Sequence, residues 1–524
     1  MASTFMGLEA AKRSLFTHQT ALQTTAHNMA NANTAGYTRQ TVNFVAAAPI
    51  EAPGLQRSTS PGQLGQSVEF SYIKRVRESF LDHQYYNENK SFGEWSIRQD
   101  SLEKLEAIIN EPSDTGIRTV IENFWSAWQT LSKEPENATA RAALKENSLA
   151  LTEAFNYTGK QLNDLHADIT ANIEVKVTQV NTITEQIARL NYEIFRIEGF
   201  GNNANDLRDQ RDLLADELSG IMNITVTESN AAYNISVGGI NLVDGIEVGT
   251  VIDSASMESA FGSDLTSGEI YGMIMSRDQY VANYQDQLNS MVRTLAEGDV
   301  RITLPAGSVV PNGTVINGVT YSGSIENRTL AADTQHTVKG INGVFALGYT
   351  METPPQSGLS FFTLKQGYTE FSADSITLNP NLITNLSQIA VSSRVYDDNG
   401  TVKVVKGNND IALIMAGLRT DKFSFTSSTS SAPLLSEGTF DEFFRSIIGQ
   451  LGVQANEANR QQQNQKILVD QVESRRQSIS GVSLDEEMAN MIQYQHAYNA
   501  AARAMTTFDE VLDKVINGMG LVGR

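Results

Sequence analysis

Six histidines, at positions 18, 27, 83, 166, 336 and 496, are the first residues to test for chemistry, and none is spaced from another as metal ligands are. His18 and His496 fall in terminal segments and read as interface or surface residues. Asp206, Asp209 and Asp212 alternate with Arg208 and Arg211, a pattern that could gather carboxylates for acid–base work. On a helix the same spacing makes a face laced with ion pairs, which is the reading it favours. Asp397-Asp-Asn-Gly400 offers oxygen atoms to calcium, but it lacks the closing glutamate of a calcium loop and reads as a turn. Gly199 and Gly201 follow no strand, so they break a helix and do not cradle a dinucleotide. Phosphate-loop, zinc-protease and serine-hydrolase motifs are missing. With no cysteine there is no disulfide, thiol catalysis or cysteine-held metal. The sequence therefore names no catalytic, cofactor-binding or metal-binding residue, and a protein that is not an enzyme is expected.

The chain has 524 residues, room for about three or four domains. It carries 39 basic against 60 acidic side chains, a net charge of −21. Such acidity disfavours nucleic acid and anionic membranes as partners. The imbalance is uneven: residues 1–90 hold eight basic and six acidic groups, whereas 91–220 hold 12 and 22. The near-neutral beginning is a candidate packing surface. The longest apolar run, Ile411–Leu418, is too short to span a bilayer. The N-terminus lacks the basic start, apolar centre and small-residue cleavage site of a secretory signal. The protein is thus expected to stay in the cytoplasm or to leave by a route that reads an uncleaved N-terminus.

What could position side chains here is long helix. Met1, Leu8, Leu15, Leu22 and Met29 recur every seven residues, with Ala11 and Ala26 widening the stripe. This predicts a helix of about 30 residues with a narrow apolar seam, ended by Asn31-Ala-Asn33-Thr34-Ala-Gly36-Tyr37. Leu484, Met491, Tyr498, Met505 and Leu512 repeat the spacing at the other end. Ser483 and Glu486 form a capping box ahead of that helix, and Gly518 and Gly520 close it. Two matched seams predict that the terminal helices pair with each other and with neighbouring copies. One narrow seam per helix leaves little to offset the backbone entropy of ordering so many residues. The ends should therefore order fully only when packed laterally against more helices.

Between the ends, residues 94–197 read as mostly helical. Trp125, Trp128 and Leu131 share one face, and Pro112 and Pro135 punctuate. Phe155, Leu162 and Ile169 keep a seven-residue spacing; a four-residue step leads to Ile173, Val180, Ile187 and Ile194, a stutter that predicts one long rod-like helix. A shorter helix follows over 205–219, then period-two strands over 223–252, a helix over 267–295 and strand-like sequence over 299–408. The last includes a hairpin of Ile389–Tyr396 with Thr401–Val405. A short helix at 409–418, a polar linker at Ser424–Pro433 and a long helix at 439–475 complete the chain. The expected fold class is α+β, mainly α, with long coiled-coil-like helices from both ends and the middle and an inserted antiparallel β domain. The expected domains are 1–60 with 483–524, a terminal coiled coil; 61–298 with 426–482, a long-helix domain with a small β element near 223–252; and 299–425, a β-rich outer domain.

Asn28-Met-Ala-Asn31-Ala-Asn33-Thr34-Ala35-Gly36-Tyr37-Thr38-Arg39-Gln40 resembles the N-terminal signature of bacterial flagellar axial proteins, the rod, hook and hook-associated proteins. Leu484–Arg503 resembles their C-terminal helix. Thr38-Arg39-Gln40 after the Gly-Tyr, the helical stretch beyond residue 90 and Asn205–Leu214 look like the hook-associated protein 1 family. Ala35 stands where that family usually has proline, and after Leu295 the chain runs to Arg301-Ile-Thr-Leu without the family's His-and-Gly motif. The resemblance implies a structural subunit of the hook–filament junction, extracellular, exported through the type III channel without a cleaved signal. It implies self-assembly as a ring or helix, with hook protein on the proximal side and hook-associated protein 3 on the distal side. It also implies a cytoplasmic export chaperone at the C-terminal helix, and no cofactor. Asn31, Asn33, Thr34, Gly36, Tyr37, Arg39 and Gln40 carry the turn motif. Another axial protein of hook or distal rod, a secreted coiled-coil effector or antigen, and a soluble hydrolase are the competing readings.

Overall fold

The structure is a computed structural model, and it describes residues 5–48, 65–109, 116–426 and 435–518. Met1 of the N-terminal seam, Pro112, most of the Ser424–Pro433 linker and Gly520 lie outside the described residues.

Helix α1 (Met6–Ala30) leads through a turn into strands β1 (Gln40–Ala46) and β2 (Val68–Arg75). Helices α2 (Ser79–Ile109), α3 (Ile117–Lys133), α4 (Ala138–Glu198) and α5 (Asn205–Ile221) follow. Strands β3 (Ile224–Ser229), β4 (Ala232–Val237), β5 (Ile240–Asp244) and β6 (Glu247–Val248) form an antiparallel meander. Then come α6 (Ser254–Ala260), α7 (Glu269–Met275), a π-helical turn at Ser276–Val281 and α8 (Ala282–Glu297). The chain continues through β7 (Asp299–Leu304), β8 (Thr314–Ile316), β9 (Val319–Tyr321), α9 (Ile325–Arg328), β10 (Thr334–Lys339) and α10 (Gly340–Ala346). Next are β11 (Phe362–Leu364), β12 (Ile376–Leu378), α11 (Pro380–Thr384), β13 (Val395–Asp398), β14 (Thr401–Val404), α12 (Asp410–Gly417), β15 (Phe423–Ser424) and β16 (Glu437–Gly438). Helices α13 (Phe440–Ser480) and α14 (Leu484–Asn517) end the described chain. The fold is α+β and mainly α.

Two compact units share these elements. One comprises Met1–Trp95, Ile173–Gly272 and Gln461–Arg524; the other comprises Ser96–Asn172 and Met273–Arg460.

In the second unit the core is aromatic. Trp128, Phe124, Phe345, Phe361, Phe362, Phe440 and Phe443 are among its largest fully buried side chains. Phe124 lies 6.4 Å from Trp128 and 6.1 Å from Phe361 between ring centres, within the range where aromatic edges and faces attract. Trp125, Trp128 and Leu131 are all buried, as their spacing on one helical face requires. Residues 299–408 differ from the strands the sequence predicts. They form pairs of strands three to six residues long, separated by short helices. Left-handed glycines at 307, 313, 318 and 323 turn the chain too often for a long ladder. In the predicted hairpin the first arm is shorter than expected, Val395–Asp398, and pairs antiparallel with Thr401–Val404; the two-residue Asn399-Gly400 turn, with φ of +54° and +85°, is where the sequence puts it. Ile389, Ala390 and Val391 are buried without strand pairing, and the Val391 carbonyl accepts from Ile411 N–H at 3.2 Å.

In the first unit α4 supplies Ile173, Val180, Ile187 and Ile194, all nearly or fully enclosed, and the stutter keeps one continuous buried stripe. Its amides also close the meander. The Asn191 side chain donates to the carbonyls of Tyr233 (3.0 Å) and Gly245 (2.6 Å), and Asn181 donates to that of Ile252 (2.8 Å). Helices α2 and α5 approach through glycine: a Cβ built on Gly93 would lie 2.2 Å from the Gly220 carbonyl oxygen. Gly93→Ala should therefore cost about 1–3 kcal/mol through forced backbone displacement. A calorimetric melt with an unchanged midpoint would show that the helices separate freely.

Candidate assembly site at the paired chain ends

Helices α1 and α14 pack antiparallel. A Cβ on Gly7 would strike the Phe508 ring, while the Asn28 amide donates to Glu487 Oε2 at 3.0 Å. These contacts are 21 residues apart on each helix, so the register holds without slip. Small side chains set the close approach: Ala10, Ala11 and Ser14 of α1 and Ala497, Ala500, Ala501 and Ala504 of α14 line a shallow groove with His18. Burial lowers the pKa of His18, favouring its neutral form beside Phe44 of β1, whose ring centre is 5.8 Å away.

The positions on α1 that are buried are Ala11, Thr17, Ala21, Thr24, Thr25 and Asn28, beside the leucine seam. Leu8, Leu15, Leu22 and Met29 are half-buried, as are Met491, Tyr498, Met505 and Leu512; Leu484 is exposed. Met488, Ile492, Phe508, Val511 and Val515 add exposed apolar surface along α14. A pair of helices with apolar flanks half in water has room for further helices.

The turn after α1 fixes the base of this pair. Thr34 N–H donates to the Asn31 carbonyl at 2.9 Å, and Gly36 takes φ +76°, a left-handed conformation closed to most side chains. Tyr37 then donates its hydroxyl to Asn28 Oδ1 at 2.7 Å, and Gln40 N–H donates to the same oxygen at 3.0 Å. Arg39 donates through Nε to Glu487 (2.7 Å) and through Nη1 to Glu486 (2.8 Å). Glu486 is thus spent on Arg39 and does not reach back across the capping box; Ser483 still accepts from Glu486 N–H at 3.5 Å. Asn33 is exposed.

Below the turn lies a buried knot of charge. Thr38 donates from N–H (2.9 Å) and hydroxyl (2.5 Å) to Asp209, and Gln40 donates to Asp206 (2.7 Å). Arg75 bonds Asp209 and Asp212, each at 2.7 Å; Arg77 bonds Asp82 at 2.8 Å; Arg476 meets Asp82 at 3.1 Å and Asp216 at 2.8 Å. Asp209 and Asp212 of α5 are salt-bridged as the sequence suggests, but to arginines of β2 and the segment after it, and both are buried; Asp206 is exposed and meets His27 at 3.3 Å. Arg208 and Arg211 turn elsewhere, to Glu198 and Glu228, and Arg211 stacks 3.5 Å over the Tyr233 ring. With the carboxylates so committed, the arrangement holds elements together and presents no free acid–base pair. Among the described residues, no group of three or more His, Asp or Glu is placed to hold a metal ion.

Three guanidinium groups, of Arg75, Arg77 and Arg476, face four carboxylates, of Asp82, Asp209, Asp212 and Asp216. Burial raises Asp212, but Arg77 and Arg75 outweigh it and its pKa is lowered. Asp216 goes the other way: burial pushes it up to about 6, against the pull of Arg476 and Arg77. Arg476 itself is raised, because Asp216 and Asp82 outweigh its burial. Burial dominates at Asp216 because it shares its cations with Asp82 and its Oδ1 is sealed without a donor. A proton on Asp216 is therefore bound more tightly in the folded chain than in the unfolded one, whose pKa is about 4. Its contribution is fully present below pH ~4 and is lost as pH rises through about 6. Asp216→Asn should gain on wild type by about 2–3 kcal/mol across that window. Melts of both proteins from pH 4 to 7 that stay parallel would overturn this.

The sequence singles out Asn31, Asn33, Thr34, Gly36, Tyr37, Arg39 and Gln40 as the turn motif but does not assign Asn28 and Glu487 as partners of Tyr37, Arg39 and Gln40, nor Arg75, Arg77 and Arg476 as partners of the buried aspartates. The available signal was Asp209 and Asp212 at a three-residue spacing, on the face that also carries Ala215 and Ser219.

A family model described as the flagellar hook-associated protein FlgK helical domain matches residues 102–298. A second, described as the flagellar basal body rod FlgEFG protein C-terminal, matches 473–518. The flagellar hook-associated protein 1 of Bacillus subtilis is 32% identical over 554 residues, covering 100% of both chains. That of Escherichia coli is 27% identical, covering 95% of this chain and 97% of its own. The hook junction protein FlgK from Burkholderia pseudomallei shares the fold at a TM-score of 0.51 and 16% identity, over 76% of this chain and 100% of that one. A match at 32% identity over the full length of both chains makes this chain a member of the flagellar hook-associated protein 1 family.

Proposed function

We propose that this chain is a structural subunit of the hook–filament junction, polymerising through α1 and α14, and that it is not an enzyme. The observation that carries the reading is the antiparallel terminal pair whose heptad residues, Leu8, Leu15 and Leu22 on one helix and Met491, Tyr498 and Met505 on the other, remain half-exposed. Such flanks are what lateral packing of further copies would bury. Hook protein would abut one face of the assembly and hook-associated protein 3 the other. The exposed apolar side of α14 suits an export chaperone before assembly. No helix among the described residues is long and apolar enough to cross a membrane; export through the flagellar channel to an extracellular position is part of this proposal. Residues 1–60 with 483–524, 61–298 with 426–482, and 299–425 would serve as the chain's three domains. A hook or distal-rod protein is the poorer reading, because the FlgK helical-domain model matches residues 102–298, the stretch from within α2 to the end of α8.

The test is electron microscopy of flagella from a deletion strain. Hooks without filaments, with filament protein lost to the medium and both restored by the gene, are expected. Filaments that remain attached would rule the role out.

A further inference from the structure

The joint between α13 and α14 is three residues, Gly481 to Ser483, and one residue from far away in sequence holds both sides of it, α13 through its backbone and α14 through its side chain. Arg39 N–H donates to the carbonyl of Ser480, the last residue of α13, at 2.8 Å. Its guanidinium donates to Glu487 at 2.7 Å and Glu486 at 2.8 Å, in the first turn of α14. Its carbonyl accepts from Val76 N–H at 2.8 Å, which ties the same residue to the exit of β2. Glu487 is 2% exposed, and its second oxygen accepts from Asn28. The joint's own residues are Gly, Val and Ser, with no long side chain to brace it.

We propose that Arg39 is the positioning residue that sets the angle between α14 and the end of α13. On the reading of the previous section, it thereby sets the direction in which the terminal pair meets neighbouring copies. Asn28 holds Glu487 within the pair, so α1 and α14 stay together; Arg39 bonds both the end of α13 and the start of α14. A guanidinium suits this because its planar fork reaches two carboxylates at once, which an ammonium does not. Of the two pairs the one with Glu487 is enclosed and the one with Glu486 faces water; an enclosed ion pair fixes geometry more than it adds stability.

The chain has no cysteine, so Ser474→Cys and Gln493→Cys create two unique spin-label sites, both exposed and on opposite sides of the joint. Read in isolated flagella, with the labelled chain diluted among unlabelled copies that order its ends, the wild-type background should give one narrow distance distribution. Arg39→Gln should at least double its width, and Arg39→Lys should fall between. Equal widths in Arg39→Gln and wild type, or a wild-type distribution already broad, overturn the clamp. The same variants returned to the deletion strain test the consequence: filaments per hook should fall with Arg39→Gln and recover in part with Arg39→Lys. A widened distribution with normal filament attachment would refute the link from angle to assembly. It would leave the junction role intact, since that role stands or falls with the deletion strain.

Discussion

Aspartate in place of Leu15 and Met505 should abolish filament attachment while leaving the melting of the free chain within about 2 °C of wild type. Both side chains are half-buried on the flanks of the α1–α14 pair, so in the free chain a carboxylate at either position turns into water. Once a neighbouring helix covers the flank, the same carboxylate has no counter-ion and costs several kcal/mol per copy. Repeated around an assembly, that penalty is prohibitive. Ile187→Asp is the contrast, because Ile187 is 0% exposed in α4. It should collapse the melt of the unit that contains it, whether or not other copies are present. The measurements are a pair of melts and a motility assay. Swimming cells would show that the seams do not carry assembly; a free chain that melts much lower would place the seams in the folded core.

Asp212→Ala should be the most damaging single change in the charge knot, costing about 3–5 kcal/mol, or a midpoint lower by roughly 10 °C. Its carboxylate is 1% exposed and accepts from Arg75 at 2.7 Å and from the Tyr233 hydroxyl at 2.5 Å, with Arg77 at 3.4 Å. Removing it strands a hydroxyl and shifts two enclosed cations onto Asp209 and Asp82, which already have partners. Tyr233→Phe removes one donor and leaves the ion pairs, so it should cost about 1 kcal/mol. Calorimetry of the three proteins orders these effects. An Asp212→Ala loss no larger than that of Tyr233→Phe would mean the knot is open to water and its charges are screened.

The helices were legible because their patterns are local. The seven-residue spacing from Phe155 to Ile194, stutter included, maps onto buried positions of α4. Asn399-Gly400 and Asn317-Gly318 take the left-handed conformations that two-residue hairpin turns demand. What stayed hidden depends on residues distant in sequence. The pairing of β1 with β2 joins Gln40 to Arg75 in a register that no tight turn announces. The strands of 299–408 were legible as strands, but which strand pairs with which was not: β7 skips β8 and β9 to pair with β10. The aspartates of α5 were visible, yet their partners lie 134 to 171 residues away in Arg75 and Thr38. Nothing in a helical period distinguishes a carboxylate facing such partners from one facing water.

The bond from Asn28 to Glu487 spans 459 residues, and that separation governs when the fold can close. Loops of this length are slow to form, and contacts that depend on them come late. While the chain is being synthesised, α1 has no α14 to pack against, Asp216 lacks Arg476 and Arg39 lacks both of its glutamates. The terminal pair and its clamp are thus unavailable to a nascent chain until its last helix exists. A molecule built this way delays its own locking until the partners of its first helix have been made.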